Sequence, residues 1–418
     1  MNDGMATDRL VGLELRTGRV HRETVLFLLL ILFILAPKVN VISFGHAGLR
    51  VEDFVLLFAL PLLVWNYRLS AIPVPSFVWA FAAYLAASLF SALVNHATLG
   101  PTGLVYVARQ AQYFVWFLIA AQFAPSISER TFKRGFGVIA GILLIWWIGE
   151  LLQLVPKIGR FSTVGDRLTL NTSGPYETAI LAVIIFFVAP ARWQKIVMFA
   201  VLLATQSRIT IAAFLVVWAV ARPGRNALLI TLIVPIALVF AAASPDLFQA
   251  GRLTQTQSPA AMLQDLRDRF DTVMHITSIA DYRALVSQGL HDNVDYQTGD
   301  ASFQVRAFKW ALIIKSLGAS TTQFLFGWGP GAWGLAVDGH YVRFLGEGGI
   351  VGFIAAMYFF ALSLTGRDAP RIYRLGFFCM ALSCIFIDAA TSSKVMSTLW
   401  MLAGYFHSRR YRRSENAP

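Results

Sequence analysis

The chemistry open to this chain sits on a few arginines, one aspartate and one histidine. Arg208 stands with Gln206 and Ser207 in a break between two apolar runs. An ionisable group at that depth is costly and marks a cavity by default, although an arginine can also snorkel or tie two helices together. Arg160 and Arg167 flank FSTVGD in a polar link that also holds Thr172, Ser173 and Glu177; taken singly, each also reads as a surface charge. Arg306 and Arg343 lie in a later polar stretch, with Arg306 one step round from an apolar helix face and equally suited to a cleft or to water. Guanidinium groups around a cleft suit a phosphate or diphosphate, because they grip such oxygens bidentately and stay charged.

Asp338-Gly339-His340-Tyr341 adds a carboxylate and an imidazole, groups whose proton affinity can be tuned for general base catalysis. Asp338 equally fits as the cap of a helix over Tyr341–Leu345. Glu347 begins an apolar run, where a carboxylate favours the positive end of the helix dipole. Trp328, Trp333, Tyr282 and Tyr296 suit stacking on sugar rings, and equally anchoring at a membrane interface. No P-loop, HExxH or GxSxG pattern is present, so nucleotide hydrolysis and common hydrolase chemistry have no support. Cys379 and Cys384 share one apolar run and no Cys/His metal spacing exists, so no metal, cofactor or disulfide framework is expected.

These groups need a scaffold, and composition says which kind. Of 418 residues, 57% are hydrophobic and 14% charged, with mean hydropathy +0.61, which is too apolar for a soluble domain. The net charge of +12 falls mostly in links between apolar runs, which is how helix orientation is encoded, and no nucleic-acid partner is expected. The expected fold is an all-α polytopic membrane protein. Runs compatible with a hydrocarbon core about 30 Å thick lie near Thr24–Phe44, Val51–Trp65, Ser76–Val94, Gly103–Phe123, Gly135–Val155 and Tyr176–Ala189. Others lie near Ile196–Thr205, Ile209–Ala221, Asn226–Ala243, Gly348–Leu364, Ile372–Ile387 and Val395–His407. The first lacks a cleavage-site pattern and reads as an uncleaved helix.

Charge placement favours about twelve transmembrane helices. Arg9, Arg16, Arg19 and Arg22 at one end, and Arg409, Arg410, Arg412 and Arg413 at the other, put both tails on the cytoplasmic side. With Ile196–Thr205 and Ile209–Ala221 as separate spans, Arg68, Arg130/Lys133/Arg134, Arg192/Lys195, Arg222/Arg225 and Arg367/Arg371/Arg374 also fall inside; fusing them would expel the later ones. The chain then divides into residues 1–243 with a basic N-tail, an external loop 244–347, and residues 348–418 with a basic C-tail. A loop of about 100 residues far exceeds ordinary connections and is typical of functional segments. Within it, Ser258-Pro259 opens a helix carrying Leu263, Leu266, Phe270, Val273 and Thr277. A second helix is expected over Ser302–Leu317, with Trp310 and Ile314 on its apolar face and Gln304, Lys309 and Lys315 away from it. Gly327-Trp328-Gly329-Pro330-Gly331 then forces a tight turn.

Three passages, in order, resemble the O-antigen ligase/polymerase superfamily of bacterial polysaccharide assembly: LLATQSRITIAAFL, SFQVRAFKWALIIKS and FLFGWGPGAWGLAVDGHYVRFLGEGGIVGF. LRVEDFVLLFAL also looks like that family's second helix. The resemblance implies a GT-C-like bundle in the bacterial inner membrane with a large periplasmic loop containing helices. It also implies metal-independent glycan transfer from undecaprenyl diphosphate. Carried over, Arg208 and Arg306 hold the donor diphosphate, assisted by Arg160, Arg167 and Arg343, while Asp338 or His340 takes the acceptor proton. Asp338 falls where ligases tend to have histidine and polymerases often have aspartate, which favours a polymerase; in a shifted alignment His340 is the ligase-type histidine. The implied partners are a lipid-linked oligosaccharide, membrane lipid and a chain-length regulator. A ligase acting on lipid A-core is the second enzyme reading. A transporter or flippase is the non-enzymatic one, weakened by the lack of visible repeat halves.

Overall fold

The computed structural model describes residues 22–44, 47–64, 73–156, 168–221, 264, 267, 270–271, 273–276, 278–288, 301–334 and 337–415. The expected run Asn226–Ala243, the helix start at Ser258-Pro259, Tyr296, and Arg9, Arg16, Arg19, Arg68, Arg160, Arg167, Arg222 and Arg225 lie outside these residues.

The described chain is mostly helical. Helix α1 covers 22–35 and stops short of Pro37. The β-branched residues that follow form an antiparallel hairpin, β1 (Asn40–Phe44) with β2 (Ala47–Arg50), instead of extending the first helix. Next come α2 (Val51–Val64), α3 (Ser76–Val94), the single turn α4 (His96–Leu99), α5 (Thr102–Phe123), α6 (Glu129–Leu151), α7 (Pro175–Val188), α8 (Arg192–Ala204) and α9 (Arg208–Ala221). The later part holds α10 (Ile279–Gln288), α11 (Ala301–Leu317), α12 (Thr321–Phe326), α13 (His340–Thr365), α14 (Arg371–Ser383), a 3₁₀ turn Ala389–Thr391 and α15 (Ser393–Glu415). Among the described residues four helices, α3, α5, α6 and α13, are long and apolar enough to cross a membrane. Local chemistry sets their ends: the Ser128 hydroxyl accepts from Thr131 N at 3.0 Å ahead of α6, with Glu129 in the first turn.

One large core joins these helices, with α15 packed along α5 and α13 along α3. Trp400 of α15 sits inside it, its ring 4.8 Å from Phe81, 5.2 Å from Phe114 and 5.9 Å from Phe359. The bundle has two chemically distinct ends. At one, Arg409 donates to the Ile127 carbonyl at 2.8 Å, Arg410 to Arg367 at 2.8 Å and Arg371 to Ala221 at 3.0 Å, while Ser76 bonds Asp368. At the other, Lys394 donates to the carbonyls of Ile34, Ala36 and Asn171, and Lys38 pairs with Glu177 at 2.8 Å.

The contacts of α8 and α9 settle how the chain runs through Gln206-Ser207-Arg208. Ala204 O, ending α8, accepts from Leu168 N close to the Asn171 end, whereas Ala221 O, ending α9, accepts from Arg371 at the basic end. The helices therefore run in opposite directions, turning where Gln206 takes φ 52°. On either side of this turn the Thr205 hydroxyl donates back to Leu202 O and the Ser207 hydroxyl donates forward to Thr210 Oγ1, while Ser207 N donates to Thr205 Oγ1 across it.

A smaller core carries the loop side: Val273, Tyr282, Val286, Leu312, Ile313, Trp328, Trp333 and Val337 pack together above the bundle. It meets α13 where two glycine backbones cross. Trp328 N and Gly329 N each donate at 2.9 Å to Gly346 O and Glu347 O, and the Ser91 hydroxyl donates to Glu347 O at 2.7 Å. Gly327 (φ 66°) and Gly349 (φ 62°) occupy the left-handed region at this crossing, and Gly349 kinks α13. A Cβ at Gly327 would lie 2.5 Å from Glu347 C, and one at Gly349 would collide with the Leu325 carbonyl. Gly349→Ala should therefore destabilise the protein by more than the roughly 1–3 kcal/mol of left-handed strain alone. Gly352→Ala, where an added Cβ meets nothing within 4 Å, should be neutral in the same detergent melting experiment.

Candidate functional site

The site is built on α13. Arg343 and Glu347 are one turn apart, so their side chains meet on one face. The buried Arg343 guanidinium donates from Nε to Glu347 Oε1 at 3.0 Å, from Nη1 to Asp388 Oδ2 at 3.1 Å and from Nη2 to Gly334 O at 2.7 Å. These bonds tie α13 to the glycine turn and to the segment after α14. The backbone repeats the tie, with His340 N donating to Cys384 O at 2.8 Å.

Asp388 is the second organising group, and its side chain is 9% exposed. It accepts from three successive backbone N–H groups, Val337 at 2.6 Å, Asp338 at 3.2 Å and Gly339 at 3.4 Å. This grip holds the loop while Asp338 sits at φ 57°, a conformation that aspartate tolerates better than most residues. His340 Nδ1 lies 3.7 Å from Asp388 Oδ1, and its ring packs edge-on against Phe344. Burial opposes ionisation of Asp388, but Arg343, His340 and the Val337 N–H outweigh it and hold the carboxyl well below the ordinary aspartate range.

Asp338 has the opposite environment. Its side chain is 31% exposed and meets Arg306 of α11, with Nε to Oδ2 at 3.5 Å. Burial raises its proton affinity above the ordinary value of 3.8, and Arg306 only partly offsets that. Lys309, one turn after Arg306, is 2% exposed, and burial lowers its proton affinity against the pull of Asp338 and Asp388. Both shifts have burial as their first cause and both favour the neutral form.

Several expectations are resolved by this geometry. Arg306, Asp338, His340 and Arg343 come together. Arg208 opens α9, is exposed, and makes no hydrogen bond or ion pair with that group among the described residues. Arg160 and Arg167 lie outside the described residues. Arg343, expected to face a diphosphate, spends its guanidinium on protein groups. Asp338 does not cap α13: Gly339 is the N-cap residue, with no side-chain bond. Glu347 lies two residues ahead of the Gly349 kink that divides α13, so the part after the kink matches the expected run Gly348–Leu364, while the part before it begins at His340. Lys309, expected away from the apolar face of its helix, is nonetheless buried, in the field of Asp338 and Asp388. Trp328, Trp333 and Tyr282 are buried in the loop core, where they reach neither a sugar nor a membrane interface. Asp388 is the residue that sequence reasoning missed; its signal was a lone carboxylate between Ile387 and Ala389, in the link after an apolar run.

Searches for a matching protein-family model and for a matching curated protein both find none.

Arg343→Met would leave Glu347 and Asp388 buried without their cation and should cost about 3–5 kcal/mol in stability. Adding Asp388→Asn should cost less than the sum of the two single changes, a coupling readable from melting of the four proteins of the cycle.

Proposed function

We propose that the chain is a metal-independent glycosyltransferase of bacterial polysaccharide assembly, of the polymerase type in the O-antigen ligase/polymerase superfamily. It transfers a glycan from undecaprenyl diphosphate to a sugar hydroxyl of another lipid-linked repeat unit. The observation that carries this reading is the Arg306–Asp338 pair. A cation and a proton acceptor stand 3.5 Å apart on a partly open face, on a loop clamped from behind by Asp388. In this reading the acceptor oxygen forms a bond to the anomeric carbon as the bond from that carbon to the diphosphate oxygen breaks. Asp338 takes the hydroxyl proton, and Arg306, backed by the field of Lys309, stabilises charge developing on the departing diphosphate. His340, 2% exposed and turned to Asp388, is the less accessible base, which favours the polymerase over the ligase reading.

The same reading fixes topology. The end holding Arg367, Arg371, Arg409 and Arg410 is cytoplasmic by the positive-inside bias, and the Asp338 end is periplasmic. The helices that run between the two ends then belong to a GT-C-like inner-membrane bundle of about twelve spans with both termini in the cytoplasm. Opposite directions of α8 and α9 support that count.

Purified full-length protein supplied with lipid-linked repeat units should give a ladder of products. Asp338→Asn should abolish the ladder without changing the melting temperature, since the group is partly open. An unchanged ladder removes Asp338 from the mechanism, and a single product formed only when lipid A-core is added makes the protein a ligase.

The pH profile supplies a second measurement. Asp338 must be ionised to accept the proton, so kcat/KM should fall as pH drops through its raised pKa, on a limb above 3.8. Arg306→Gln removes a charge that favours the ionised form, so the limb should move to higher pH while turnover falls roughly 100-fold.

A further inference from the structure

At the basic end of the bundle, away from the Arg306–Asp338 pair, four helices leave a pocket of about 250 Å³. Phe186 and Phe187 near the end of α7, Trp218 near the end of α9 and Leu375 of α14 give it apolar walls. Two cations share that lining, Lys195 near the start of α8 and Arg371 at the start of α14. Lys195 Nζ lies 6.0 Å from the centre of the Phe186 ring, and Arg371 Nη2 donates to Ala221 O at 3.0 Å, which holds both charges at one cavity. Among the described residues no aspartate or glutamate lines it, so the lining is net positive.

Charge calls for an anion, and the walls decide which one. Guanidinium and ammonium groups grip phosphate oxygens. A free phosphate gains nothing from phenyl, indole and isobutyl surface, whereas the glycerol and first acyl carbons of a phospholipid bury against it. The neighbouring surface fits the same molecule. Trp193 and Ile196 flank Lys195 on α8 at 51% and 67% exposure, and Val220, beside Ala221, is 61% exposed. In a membrane protein hydrocarbon covers such side chains, and a tryptophan suits the headgroup level. Basic pockets between helices on the cytoplasmic side are the pattern that anionic lipid headgroups occupy. We infer that this pocket binds the headgroup phosphate of an anionic phospholipid, with its acyl chains laid along α8 and α9. The lipid then bridges α8 and α9 to α14. This needs only a membrane-embedded bundle and is independent of the transferase reading; the cytoplasmic leaflet follows from the positive-inside bias.

The test titrates full-length protein, stripped of lipid in a nonionic detergent, with phosphatidylglycerol, with phosphatidylcholine of the same chains and with inorganic phosphate. Affinity is read from the rise in melting temperature with ligand concentration. Phosphatidylglycerol should give that rise, and the other two should not. Lys195→Gln and Arg371→Gln should each weaken phosphatidylglycerol binding about fivefold, and the pair together roughly 25-fold. Lys195→Gln leaves the Arg371 bond to Ala221 in place, so it decides alone if Arg371→Gln does not fold. Lys133→Gln, which removes a basic charge paired with Glu129 on α6, should leave the affinity unchanged. An equal rise with inorganic phosphate makes the pocket a free-anion site, and an equal rise with phosphatidylcholine makes it an apolar crevice. Full affinity in the pocket variants, or an equal loss in Lys133→Gln, puts the lipid elsewhere. Each of these results overturns the inference. Protein that ladders repeat units but binds no phosphatidylglycerol also overturns it, and leaves the transferase reading standing.

Discussion

A fully buried guanidinium is the constraint on which the rest of this structure depends. Arg343 cannot lose its charge, so the fold must bring it carboxylates and a carbonyl in a fixed geometry. It does so with Glu347 from its own helix, Asp388 from beyond α14 and Gly334 from the glycine turn. The helix, the turn just before it and a segment 45 residues further on are thereby fixed around one side chain. A buried pair of this kind adds little net stability over well-packed apolar groups, but breaking it is costly, so its effect is to specify one arrangement.

That arrangement separates two carboxylates by environment. Asp388 receives Arg343 and a row of backbone N–H groups and is locked as an anion. Asp338, on the loop that Asp388 grips, has a single cation at 3.5 Å and a burial cost that raises its proton affinity. One carboxylate holds position and the other can change its protonation, the division of labour that acid–base sites require. Backbone bonds at the crossing of Gly327 and Gly349 keep the loop core registered on α13, so the division does not rest on the ion pairs alone.

The polar network extends past the site. Beyond the 3₁₀ turn that follows Asp388, Ser392 bonds Glu177, Ser393 bonds Glu52, and Lys394 collects three carbonyls from the ends of neighbouring segments. These groups sit at the end of the bundle that carries the site, while Arg367, Arg371, Arg409 and Arg410 meet carbonyls and solvent at the other. Satisfied buried charge at one end and solvated charge at the other give the bundle its polarity.

Hydrophobic runs and charge in the links were enough to identify a helical membrane protein, to place α3, α5 and α14 close to their observed bounds, and to separate α8 from α9 at Gln206. These signals are local: length, apolar content and breakers act over a few turns. The same reading singled out Arg306, Asp338 and His340, which the fold brings close together, because polar residues beside apolar runs stand out. It set Arg208 and Arg343 beside them as ligands, and only the fold showed Arg208 exposed at the head of α9 and Arg343 consumed by Glu347 and Asp388. Lys309 was set away from the apolar face and is buried all the same: helical spacing tells which residues share a face, not what that face meets. Asp388 shows the limit most clearly. It lies 50 residues from Asp338 in sequence, yet accepts that residue's backbone N–H. Which carboxylate meets which cation is decided by packing between distant segments, and a one-dimensional pattern carries no record of that meeting.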